Sequence, residues 1–251
     1  MKKKDKVLSV RKMTIIGVLG SISIVLGLTP LGFIPVGPTR ATIMHIPVII
    51  GAIMEGPVVG GMIGLIFGLF SIFQAVTRPT PVSFVFLNPI VSVLPRILIG
   101  ILTYYVYKLL QEMKGKRTFV ILNLILGSII IYLSYGIYKN IKDSGDMWIL
   151  LMNGMLIFLT LGIGIYGRNR LKSKTIDVII ATAIGTLTNT IGVLLSIYLI
   201  YGEQFVRKLG QDPIMARKII LGIGIANGIP EMIIGIIVVS NVITILKSRR
   251  I

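Results

Sequence analysis

Apolar residues run through this chain in long blocks, separated by short stretches that are basic or rich in proline and glycine. Eight hydrophobic segments stand out: Met13 to Leu28, Thr42 to Met54, Pro57 to Val76, Val91 to Leu110, Phe119 to Tyr138, Met147 to Gly167, Val178 to Tyr201 and Ile219 to Leu246. Most approach the roughly 20 residues that a helix rising 1.5 Å per residue needs to cross about 30 Å of hydrocarbon. The second is too short to cross alone, so it is expected to be a half-span or a helix that starts in a pocket. None of the blocks alternates as a barrel strand does, and a chain in lipid must satisfy its own backbone hydrogen bonds, so the pattern predicts an all-α integral membrane protein.

Composition strengthens this picture. Of 251 residues, 54% are hydrophobic and 14% charged, with a mean hydropathy of +0.92, whereas soluble domains carry about 25% charged residues. The formal net charge is +17, but the positives flank the apolar blocks, which suits an anionic membrane face and argues against nucleic acid as the partner. Lys2, Lys3, Lys4, Lys6, Arg11 and Lys12 form one group; Lys114, Lys116 and Arg117 a second; Arg168, Arg170, Lys172 and Lys174 a third; Lys247, Arg249 and Arg250 a fourth. An even number of segments separates each group from the next, which predicts both termini in the cytoplasm. Arg207, Lys208, Arg217 and Lys218 break the rule and fall outside. No small-residue cleavage site follows the first block, so it is expected to remain as an anchor.

Polar side chains inside such blocks carry the functional signal, because an ionisable group at membrane depth costs about 2.5 to 3.5 kcal/mol on insertion scales. Arg40, His45, Asn88, Arg96, Asn189, Thr190, Asn227 and Glu231 are the candidates. Glu231 follows Pro230 in the last segment and shares a helical face with Asn227; it reads equally as a ligand contact or as the partner of Arg96. Asn189 and Thr190 lie mid-segment, where interhelical hydrogen bonding is an equal reading. Arg40 and Arg78 fall in outer loops stiffened by proline, where a guanidinium fork suits a carboxylate or phosphate, although exposed arginines are more often simply solvated. His45 reads first as a buried hydrogen-bonding group. Small residues spaced by four, Gly60, Gly64 and Gly68 on the third segment and Gly17 and Ser21 on the first, predict close helix contacts, within the chain or with another protein.

Other chemistry is missing. With no cysteine and one histidine, disulfides, thiolate metal sites and histidine metal clusters are not expected. No phosphate-binding G-x-x-x-x-G-K-[ST] occurs, nor H-E-x-x-H, nor G-x-S-x-G. No cofactor or catalytic residue is expected. A membrane enzyme acting on a lipid or isoprenoid, with Glu231 and His45 as acid or base, and a stand-alone proton-coupled carrier are the alternatives.

One ordered set of motifs carries a resemblance: HIPVIIGAIMEG from His45, GLIFGLFS from Gly64, SFVFLNP from Ser83, SVLPRILIG from Ser92, GTLTNT from Gly185 and ANGIPE from Ala226. The chain resembles the substrate-binding S components of energy-coupling factor (ECF) vitamin transporters. The resemblance implies a six-helix core that takes a vitamin from outside and works with a coupling transmembrane subunit and two cytoplasmic ATPase subunits. It implies a ligand pocket formed by Arg40, Arg78, Asn88, Arg96, Asn189, Asn227 and Glu231, and a docking face on the first helix at Gly17 and Ser21. Pantothenate is the favoured vitamin, with riboflavin, folate and pyridoxine-type ligands open. Residues 1–112 would then form the first four core helices and 176–251 the last two. Residues 113–175 would form an inserted hairpin, whose Tyr132, Tyr135 and Tyr138 read as interfacial anchors.

Overall fold

A computed structural model describes residues 9–36, 39–113, 115–143, 145, 147–170 and 173–248. Its helices are α1 (Val10–Leu28), α2 (Ile46–Glu55), α3 (Pro57–Thr77), α4 (Pro89–Ser92), α5 (Leu94–Glu112), α6 (Gly115–Asp143), α7 (Met147–Arg170), α8 (Ser173–Lys208) and α9 (Ala216–Ser248). Seven spans among them are long and apolar enough to cross a membrane, and α2 is a shorter apolar helix. The protein is therefore a multi-pass, all-α membrane protein. One small element departs from helix: β1 (Phe33–Val36) pairs antiparallel with β2 (Thr39–Thr42), Phe33 opposite Thr42 and Val36 opposite Thr39.

This hairpin explains the short second segment. The chain leaves α1 at Leu28, folds back through the hairpin, and begins α2 at the depth of Ser23, whose Oγ donates to the Met44 carbonyl at 3.1 Å. The α2 helix then supplies the remaining descent, and Arg11 at the start of α1 pairs with Glu55 at 2.9 Å. The chain thus enters α2 from the interior, as expected for a helix that starts in a pocket: His45, just before α2, is fully buried. Gly56, at a φ of +103°, allows the abrupt turn into α3, which opens on Pro57.

Small residues set the central crossing. A Cβ on Gly60 would lie 2.9 Å from the Gly100 backbone, one on Gly68 would lie 2.7 Å from Val93, and one on Gly64 would strike the Arg96 carbonyl. The three glycines therefore form the groove in which α5 lies antiparallel to α3, the close helix contact that spacing by four predicts. On α1 the buried stripe is Ile16, Gly20, Ser23 and Gly27. Gly17 and Ser21 lie off that stripe and are exposed.

Polar cross-links record the direction of each helix. Gln74 near the end of α3 donates to the Gly27 carbonyl at 2.6 Å. Asn88 before α4 donates to the Tyr201 hydroxyl near the end of α8 at 3.2 Å. Lys247 at the end of α9 donates to the Tyr107 hydroxyl near the end of α5. Val10 and Ser248 therefore open on one side, and the β-hairpin sits on the other. The α6–α7 pair packs through Leu122, Leu126, Ile129, Leu133 and Leu156 onto Ile176, Ile179, Ile180, Met232, Ile233 and Ile236 of α8 and α9. That flank is distinct from the α1 side, where α1 meets α2 and α3.

Candidate functional site

The site grows out of the α3–α5 crossing. Because Gly64 admits the Arg96 backbone, the Arg96 side chain emerges beside Phe67, three residues further along α3. Its guanidinium lies 5.4 Å from the centroid of Phe67 and 5.8 Å from that of Phe86. One terminal nitrogen, Nη1, donates to the Val91 carbonyl. Two aromatic faces fix the plane of the cation, and a carbonyl fixes its rotation. Nε has no hydrogen-bond partner among the described residues, although Arg96 is only 6% exposed.

Arg96 faces a cavity of about 930 Å³ near the hairpin side of the bundle, within the size range of small-molecule sites. Its walls are largely apolar, with Phe33, Met44, Phe67 and Phe86 among them. Most hydroxyls on the wall are already engaged: Ser71 donates to the Phe67 carbonyl, and Thr80 and Ser83 bond each other at 2.8 Å. Asn189 of α8 is the exception. It is 7% exposed, lines the cavity, and its Oδ1 has no partner among the described residues. Arg96 and Asn189 therefore offer a cationic donor edge and a carbonyl acceptor on one wall. Such a pair suits a ligand with an anionic group at one place and an O–H or N–H at another.

The predicted site residues divide. Arg96 and Asn189 meet on the cavity, and exposed Arg78 stands at its rim. Arg40 lies in β2, opposite Pro35; its side chain lies outside the described residues. Asn88, Asn227 and Glu231 do not line the cavity. Asn88 caps α4, its Oδ1 accepting from the Ile90 N–H at 2.9 Å while its Nδ2 reaches Tyr201. Asn227 is half-buried on α9. Glu231 is 4% exposed; its Oε1 accepts from the Thr42 N–H at 2.7 Å and its Oε2 from the Thr190 hydroxyl at 3.1 Å. His45 Nε2 lies 3.0 Å from Thr186 Oγ1, also off the cavity wall.

Sequence reasoning missed Phe67 and Phe86, since aromatic residues in an apolar chain carry no distinguishing mark. It missed Gln74 and Thr42 as well, although a glutamine near a span end was a usable signal. Among the described residues, the wall carries no histidine, aspartate or glutamate, and no group of three potential metal ligands gathers.

Comparison with known proteins agrees with the geometry. The sequence matches the family described as "ECF transporter, substrate-specific component" over residues 11–152 and 137–243. It is 38% identical over 92 residues to the pantothenic acid transporter PanT of Lactococcus lactis subsp. cremoris, covering 31% of this chain and 47% of that protein. Over 78 residues it is 40% identical to the pantothenate transporter PanT of Leuconostoc mesenteroides subsp. mesenteroides, covering 31% of this chain and 38% of that one. The match thus spans about half or less of the length of these curated relatives.

Proposed function

The chain belongs to the ECF transporter substrate-specific component family, and on that footing we propose that it captures pantothenate from outside the cell and delivers it to an ATP-driven import complex. The observation that carries this reading is the pairing of the Arg96 donor edge with Asn189 Oδ1, both turned into one apolar-walled cavity. Pantothenate has a carboxylate, a central amide, hydroxyls and a geminal dimethyl group. Arg96 holds the carboxylate, Asn189 accepts from a hydroxyl or the amide N–H, and Phe33, Phe67 and Phe86 cover the dimethyl end. Arg78 at the rim meets the anion on its way in.

The partners in this reading are a coupling transmembrane subunit and two cytoplasmic ATPase subunits. The exposed Gly17 and Ser21 form the docking face: nothing lies within 4 Å of a Cβ built on Gly17, and the Ser21 hydroxyl is spent on the Val18 carbonyl at 2.9 Å. The α6–α7 hairpin packs on the α8–α9 flank and leaves this face open. The protein resides in the cell membrane with both termini in the cytoplasm, since most basic clusters flank the helix ends on the Val10 and Ser248 side.

Two measurements test the reading. Purified chain should retain pantothenate through detergent washing, and vesicles holding this polypeptide alone should fail to concentrate it. Uphill uptake without partners would overturn the proposal. A third result is expected from Asn189→Ala, which removes one neutral acceptor: the Kd for pantothenate by titration calorimetry rises about tenfold, or about 1.4 kcal/mol. Neither Glu231 nor His45 faces the cavity, so the reading as an enzyme of acid–base type gains no support from the site.

A further inference from the structure

We propose, on the reading above of the cavity as the ligand site, that Glu231 is a positioning residue for it: Glu231 sets the Thr42 wall of the cavity through a hydrogen bond. Four consecutive residues, Thr42 to His45, join the β-hairpin to α2, and two of them, Thr42 and Met44, line the cavity. This stretch is fastened at three points to three helices. Ser23 of α1 holds the Met44 carbonyl, Thr186 of α8 holds His45, and Glu231 of α9 holds the Thr42 N–H at 2.7 Å.

Of these fastenings only the last carries a charge, and an N–H donated to a carboxylate is about twice as strong as a neutral bond. It is also the one nearest the hairpin. Without it, Thr42 still pairs with β1, but the wall between Phe33 and Met44 loses its backbone tie to α9. Thr190 bonds the other carboxylate oxygen and so stops the side chain from turning away. Pro230 immediately precedes Glu231 and removes one backbone donor from the helix interior.

Two conservative variants test this role. Glu231→Gln keeps an acceptor at the same reach; Glu231→Asp withdraws the acceptor by one methylene. Amide hydrogen exchange at Thr42, measured without ligand on the full chain in nanodiscs, is expected to quicken about tenfold in the Asp variant and to stay within about threefold of wild type in the Gln variant. The Kd for pantothenate is expected to rise about tenfold with Asp and to stay within about threefold with Gln. Unchanged Thr42 exchange in the Asp variant overturns the positioning role. Equal weakening by both variants with Thr42 exchange unmoved places Glu231 on the ligand instead, which also overturns it. If Thr42 exchange behaves as stated while wild-type protein ignores pantothenate, the positioning role stands and the pantothenate reading falls.

Discussion

Replacing Arg96 by alanine is expected to raise the Kd for pantothenate about a hundredfold, a loss of about 2.7 kcal/mol. Hydrogen bonds to charged groups contribute about 1.5 to 3 kcal/mol, and this guanidinium is already oriented by Phe67, Phe86 and the Val91 carbonyl. Little ordering remains to be done when a carboxylate arrives, so the bond is realised almost in full. Lysine is not a rescue: an ammonium cannot lie flat between two rings or present a fork, and Arg96→Lys should recover no more than about tenfold of the loss. Titration calorimetry on protein whose melting temperature has been checked in the same detergent measures both. An unaltered Kd in the alanine variant would remove Arg96 from the ligand and the functional proposal with it.

The second large effect is expected on the far end of α1. Changing Gly17 and Ser21 together to leucine should leave pantothenate binding by the purified chain within about twofold and abolish uptake by cells carrying the partner subunits. The separation follows from geometry: Gly17 and Ser21 are exposed and nothing lies within 4 Å of a Cβ built on Gly17, so leucines there have room in the isolated chain. Gly20→Leu on the same helix is the contrast. A Cβ there already meets Ile66 at 2.8 Å, so that change should lower the yield of folded protein. Parallel loss of binding and uptake in the Gly17 and Ser21 variant would count against α1 as a docking helix.

Much of the bundle was legible because lipid imposes a simple grammar. Apolar blocks marked the spans, and the shortness of Thr42 to Met54 announced α2. Gly60, Gly64 and Gly68 were readable as a groove because small residues at that spacing permit close backbone approach. The β-hairpin was not legible: Phe33 to Thr42 contains Pro35, Gly37 and Pro38, which signal a loop, and its pairing depends on being held against α9.

The site was half legible for a related reason. A polar residue in an apolar chain announces a need but not the partner that meets it. Asn88 and Asn189 look alike in sequence, yet one is satisfied two residues away at Ile90 and the other faces the cavity with an open acceptor. Glu231 read equally as a ligand contact or as the partner of Arg96; the backbone of Thr42, which it holds in the structure, lies 189 residues away and leaves no trace in the identity of that residue.

The α6–α7 pair has a consequence for how such a chain could lengthen. In water, an added pair of helices must bring a matching core, since the face it leaves outward is penalised. In a bilayer the outward residues Leu124, Ile131 and Phe158 meet acyl tails that are as apolar as the neighbours they would otherwise have touched. Leu110, Ile176 and Met232 exchange lipid for protein at small cost. Adding a pair of helices on that flank would thus be nearly neutral in free energy, and the cavity-lining residues need not feel it.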